Sequence, residues 1–104
     1  GGDKDQVRNL ATTTLNQLAL LQGLISVQEF KTYLFPIKKN AGWIYVMSNA
    51  HGNLSKETIT KMVALMDQID FARPLLNQLM QRDEAFDAVV EILTVRETIA
   101  DLLD

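Results

Sequence analysis

Apolar residues recur three and four positions apart through most of this chain, and that spacing restricts it to helix. Val7, Ala11, Leu15, Leu18 and Leu21 line one side of residues 4–22, with polar residues between them. Asp3 is placed to cap the start of this helix and Gly23 to end it. After Ser55, a good N-cap, Ile59, Met62, Val63, Met66 and Ile69 form a second such stripe through residue 70. Between the two, Ser26-Val27-Gln28-Glu29 fits the capping box, in which the serine and the glutamate each satisfy a free backbone N–H. The helix it opens buries Phe30 and Leu34 and is expected to stop at Pro36, because proline disfavours helical geometry in Phe35. Pro36 then suits the first turn of a third helix.

Residues 41–47 are harder. Trp43-Ile44-Tyr45-Val46-Met47 has the composition of a short strand, but no second strand is visible to pair with it. Helix is therefore expected, with Gly42 as a tolerated defect or a close-packing point and His51-Gly52-Asn53 as the closing loop. Phe71-Ala72-Arg73-Pro74 reads as a break, followed by a short helix with Leu75, Leu76, Leu79 and Met80 facing inward. Asp83 is the expected cap of the next helix, with Phe86, Val89, Val90 and Leu93 buried. Thr94-Val95-Arg96-Glu97 is a second capping box, able to start a separate terminal helix carrying Val95, Ile99, Leu102 and Leu103. A single bent helix over 84–103 fits nearly as well, since Val89, Ile92, Ile99 and Leu103 almost share a face.

The expected fold is all-α: one domain, residues 1–104, built as a compact bundle of five or six short-to-medium helices. Helices this short draw their stability from tertiary packing. No heptad persists, so a coiled coil is not expected. Gly1-Gly2 reads as a cloning scar, and the helical character of the last residues reads as a domain cut from a longer chain.

Composition narrows the chemistry. There is no cysteine and one histidine, which removes disulfides, thiolate metal sites and cysteine nucleophiles. Asp83, Asp87 and Glu91 lie at i, i+4 and i+8, a stripe that reads as a solvated acidic face rather than a cation site. His51 has no oriented partner of the kind a serine or threonine nucleophile needs. No phosphate-cradling or dinucleotide pattern occurs. No enzyme activity, metal or cofactor is expected. No apolar run approaches the ~18 residues of a membrane span, and cytoplasmic residence is the default expectation.

Charge is unevenly spread around the net −3. Residues 83–104 hold seven acids against one base, while residues 1–82 hold nine bases against six acids. Residues 31–61 contain five lysines and a single acid, Glu57. Such a division can steer partners or orient an oligomer.

Four of the seven aromatics crowd into residues 33–47 beside a proline, a glycine and a lysine pair. Tyr33, Phe35, Lys38, Lys39, Trp43, Tyr45 and Met47 are the expected partner-binding residues. Aromatic residues and methionine are enriched at interface cores, and Lys38, Lys39 and Asn40 would rim the patch. Positions 43 and 47 share a helical face while 45 points nearly opposite, so one of those faces is expected to meet solvent or a partner. The expected function is a non-catalytic protein-interaction or assembly module whose partner is another protein or a second copy of the chain. The alternative is a nucleic-acid-binding accessory protein using the basic and aromatic residues of 33–47. Two neighbouring lysines make a small phosphate-binding patch, so that alternative ranks behind protein.

Overall fold

A computed structural model describes residues 2–50 and 54–104, with only the backbone described for Gly2, Asp3, Asn49 and Ala50. The expected all-α architecture is what it shows. In chain order the elements are α1 (Gly2–Gln22), α2 (Val27–Glu29), a π-helical segment (Phe30–Leu34), α3 (Phe35–Ala50), α4 (Lys56–Phe71), α5 (Arg73–Leu79) and α6 (Asp83–Leu103). The loop expected at His51-Gly52-Asn53 lies outside the described residues.

Four of these helices form the body of the bundle. α1 packs on α3 and on α6, and α4 also packs on α3 and on α6, so α3 and α6 stand on one diagonal. Neighbours run antiparallel. Tyr33 meets Phe71 and Asn40 meets Gln68, which fixes the opposed directions of α3 and α4. Arg82 at the start of α6 donates to the Leu24 carbonyl just past the end of α1, 2.9 Å away. The core on the inner faces includes Val7, Leu18 and Leu21 of α1, Ile37 and Ile44 of α3, Met62, Leu65 and Ile69 of α4, and Val89, Ile92 and Ile99 of α6. Leu75, Leu76 and Leu79 of α5 join it, as their spacing indicated. The Cα radius of gyration, 13.2 Å, is what a compact chain of this length adopts.

Two local signals act as read. Ser26 Oγ accepts from Glu29 N–H at 3.0 Å and Glu29 Oε1 accepts from Ser26 N–H at 3.1 Å, completing the capping box. Ser55 Oγ accepts from Thr58 N–H at 3.0 Å and starts α4. Helix, not strand, runs through residues 43–47.

Other boundaries and faces differ. Asp3 does not cap α1 from outside, because the helix already contains it; once a turn is nucleated, each further residue adds a hydrogen bond. Pro36 does not end a helix. Phe35 stays helical at φ −61°, ψ −41°, and its N–H donates to the Phe30 carbonyl five residues back. That π segment widens the backbone where a proline ring would strike the carbonyl four residues before it. Asp83 lies inside the first turn of α6, with Arg82 at the N-cap and no side-chain cap present.

Thr94 does not open a new helix. Its hydroxyl donates to the Val90 carbonyl at 2.8 Å, and the Thr98 hydroxyl donates to the Thr94 carbonyl at 2.9 Å. Such back-bonding satisfies the hydroxyl of a mid-helix threonine in place of capping, and burial of Ile92, Val95 and Ile99 on one face carries the helix through the site.

The buried stripe of α4 is Thr58, Met62, Leu65 and Ile69, while Ile59 and Val63 are exposed. Both sets have helical spacing; the positions of α3 and α6 select between them. On α6, Phe86 and Val90 also point outward, and the small Ala85 and Ala88 are buried instead. Small side chains let neighbouring helices approach closely, which excludes a bulky ring from that side.

Candidate interaction surface

α3 buries Ile37, Asn40, Ala41, Ile44 and Ser48. The opposite side therefore carries Phe35, Lys39, Gly42 and Val46, four residues at i, i+4, i+7 and i+11 on one face of the helix. Phe35 is 45% exposed and Val46 62%. Lys38 and Tyr45 flank this ridge on one side, and Tyr45 is 39% exposed. Trp43 flanks it on the α4 side, half-buried, with Lys61 Nζ 5.3 Å from its ring centroid.

Lysines sit over Phe30, Phe35 and Trp43. Lys39 Nζ lies 5.7 Å from the Phe35 centroid and Lys38 Nζ 5.9 Å from that of Phe30. Phe30 and Phe35 meet edge to face at 6.2 Å. The ammonium groups are thus held by aromatic faces, an interaction worth roughly 0.5–1 kcal/mol at exposed sites. Among the described residues, Lys31, Lys38, Lys39 and Lys61 form no ion pair.

Two depressions border Phe35. An open, mainly apolar groove of about 630 Å³ is formed by Ile25, Val27, Phe30 and Phe35, with Gln22, Lys31 and Lys38 at its edges. The π segment and the capped turn at Ser26 build its walls. On the other side, a smaller depression of about 270 Å³ includes Pro36, Lys39, Asn40, Lys61 and Gln68.

Gly42 lies on the outer ridge between Phe35 and Val46. A Cβ built there would have nothing within 4 Å, and its φ is not positive. Neither packing nor backbone geometry within the domain calls for glycine at this place. An internal helical glycine costs ~1 kcal/mol relative to alanine. Its effect is to leave open space beside a partly exposed backbone on the outer side.

The seven residues singled out from the sequence divide between two sides. Phe35, Lys38, Lys39 and Tyr45 share the outer face, and Trp43 borders it. Met47, one turn beyond Trp43, is half-buried on the α4 side. Tyr33 packs on Phe71 with centroids 5.5 Å apart, away from the ridge. Asn40 is not a rim residue. It is buried and donates through Nδ2 to Gln68 Oε1 at 2.8 Å, because a buried amide must find a partner.

Lys61 joins the surface from α4, a neighbour that local spacing in residues 33–47 could not supply. Val46 belongs to it too, and its i+11 distance from Phe35 was the available signal. On the acidic helix, Asp83 and Asp87 are exposed, and among the described residues no three potential metal ligands gather around one point. No described helix is long and apolar enough to cross a membrane. Comparisons with protein-family models, curated proteins and solved structures give no match to this chain.

Proposed function

We propose that the domain is a protein-interaction module and that its docking face is the outer side of α3. One observation carries this reading: Gly42 lies partly exposed on the outer side of α3 between exposed Phe35 and Val46, with open space where a side chain would stand, although nothing in the domain needs a glycine there. A partner's backbone can approach closely at such a point, with aromatic and aliphatic side chains on either side to fill against it. The lysines add a positive rim, which favours an acidic partner and speeds its encounter.

A photo-crosslinking residue placed at position 46, in cells that make the protein, tests this. The expected result is a discrete protein adduct, identified by mass spectrometry, that is absent when the same group replaces exposed Asn16 on α1. Equal labelling from both positions, or none from position 46, overturns the reading. Anisotropy of a labelled oligonucleotide at low salt supplies the second arm. Tight binding that Lys39→Glu abolishes would reassign the face to nucleic acid.

A further inference from the structure

We infer that the acidic partner for the α3 face is the α6 face of a second copy, so that the domain assembles head to tail; this rests on the docking-face reading above. α6 buries Ala85, Ala88, Val89, Ile92, Val95 and Ile99. Its outer side therefore presents Asp83, Phe86, Asp87, Val90, Thr94, Glu97 and Asp101, every one of them exposed. Phe86 is 46% exposed and Val90 37%, one helical turn apart. Two apolar anchors thus stand inside an acidic ridge that spans about 27 Å from Asp83 to Asp101 at the helical rise.

The two faces match in sign and in form. α3 offers a partly exposed glycine between apolar residues, with Lys38, Lys39 and Lys61 nearby; α6 offers a ring and a valine on a ridge of four carboxylates, bordered at Val90 by Arg73 and Arg96. Neither set of charges, those lysines or Asp83, Asp87, Glu97 and Asp101, is neutralised by an ion pair among the described residues.

The bundle's layout decides the kind of assembly. α3 and α6 occupy opposite ends of one diagonal, so a copy that binds through one face keeps the other open. Contacts between unlike faces are heterologous, and they propagate into a ring or an open chain instead of closing as a two-fold dimer.

Charge reversal in pairs tests this, by sedimentation velocity over a concentration series. Wild type should associate more strongly as concentration rises, and lose that association between 0.1 and 1 M salt, where the screening length falls from about 10 to 3 Å. Lys38→Glu with Lys39→Glu should weaken association about tenfold, as should Asp87→Lys with Glu97→Lys. An equimolar mixture of the two variants should regain it, because each supplies the face that the other has lost. Undiminished association of either variant alone means that like faces meet, and overturns the inference. A wild type that stays monomeric at low salt also overturns it. If the position-46 adduct then contains a different protein, the docking-face reading survives; with no adduct, both readings fall.

Discussion

α3 and α6 stand opposite each other in the bundle and do the same work on their inner sides, yet their outer sides differ in almost every respect. α6 is one uninterrupted helix of 21 residues whose threonines bond back to its own carbonyls. α3 follows a capped turn and a π segment, contains Pro36, and carries a glycine at mid-helix. Its surface cations rest on rings, whereas α6 exposes carboxylates around Phe86 and Val90. Of these irregularities, Gly42 lies on the face proposed to dock, the π segment and capped turn wall the groove beside it, and Pro36 lies toward α4. This difference teaches that burial and exposure of one helix answer to separate demands; the peculiarities on the exposed side are the ones the proposed docking face would explain.

The largest expected effect tests the likeness of the inner sides. Ile37 and Ile92 are both fully buried, and truncating either to alanine should cost about 2–5 kcal/mol. Urea denaturation of the two variants measures this. A cost well below 1 kcal/mol at one position alone would break the claim that both helices anchor the core alike.

Next come the helix starts. Ser26→Ala removes a reciprocal cap and should cost ~1 kcal/mol, with the loss expressed at the groove walls. Asp83→Ala, at a start without a side-chain cap, should cost a few tenths of a kcal/mol by weakening a favourable charge near the helix N-terminus. Equal losses would erase the contrast between a capped and an uncapped start.

Gly42→Ala should do the reverse and raise stability by about 0.5–1 kcal/mol, since the new methyl meets empty space. A thermal melt showing destabilisation would mean that the glycine serves the fold itself, and would remove the main support for the docking face.

The smallest effect concerns the α4–α6 contact. Arg96 donates to Asp70 through Nε and Nη2, both at 3.0 Å. That hydrogen bonding outweighs the opposing effect of burial and, with the nearby positive charges of Arg96 and Arg73, holds the Asp70 carboxyl below its ordinary value. Stability from a lowered carboxyl is present above the unfolded-state pKa and disappears as pH falls through the folded one. The stability gap between wild type and Asp70→Asn should therefore be present near pH 6 and close below about pH 4. Denaturation at a series of pH values checks it, and a gap unchanged down to pH 2 contradicts the pairing.

Much of the fold was legible in local signals. The capping box at Ser26, the cap at Ser55 and the break before Pro74 each depend on neighbours a few residues away, and each appears where the residues placed it. Faces were less legible. Ile59 and Val63 have the same helical spacing as Met62 and Ile69, and Phe86 and Val90 fit an amphipathic pattern as well as Val89 does. Which set is buried depends on where other helices lie. Proline 36 misled for a related reason. Its clash is local, but its relief, a π turn over Phe30–Leu34, needs packing that holds both sides of the bend in place. Part of the candidate surface could be read directly, since Phe35, Lys38, Lys39 and Tyr45 do share it. Lys61 could not, because its place beside Trp43 comes from α4 folding back along α3.

By itself, then, the sequence determined the helical class, the capped helix starts at Ser26 and Ser55, and the opposite charge of the chain's two parts. Those properties follow from backbone hydrogen bonding, side-chain periodicity and composition, none of which needs a third dimension. Tertiary structure alone decided that α3 and α6 lie across a diagonal, that Phe86 and Val90 stay outside, and that Gly42 has open space beside it. Burial is a competition among faces for one shared interior, and only the assembled bundle settles which faces win.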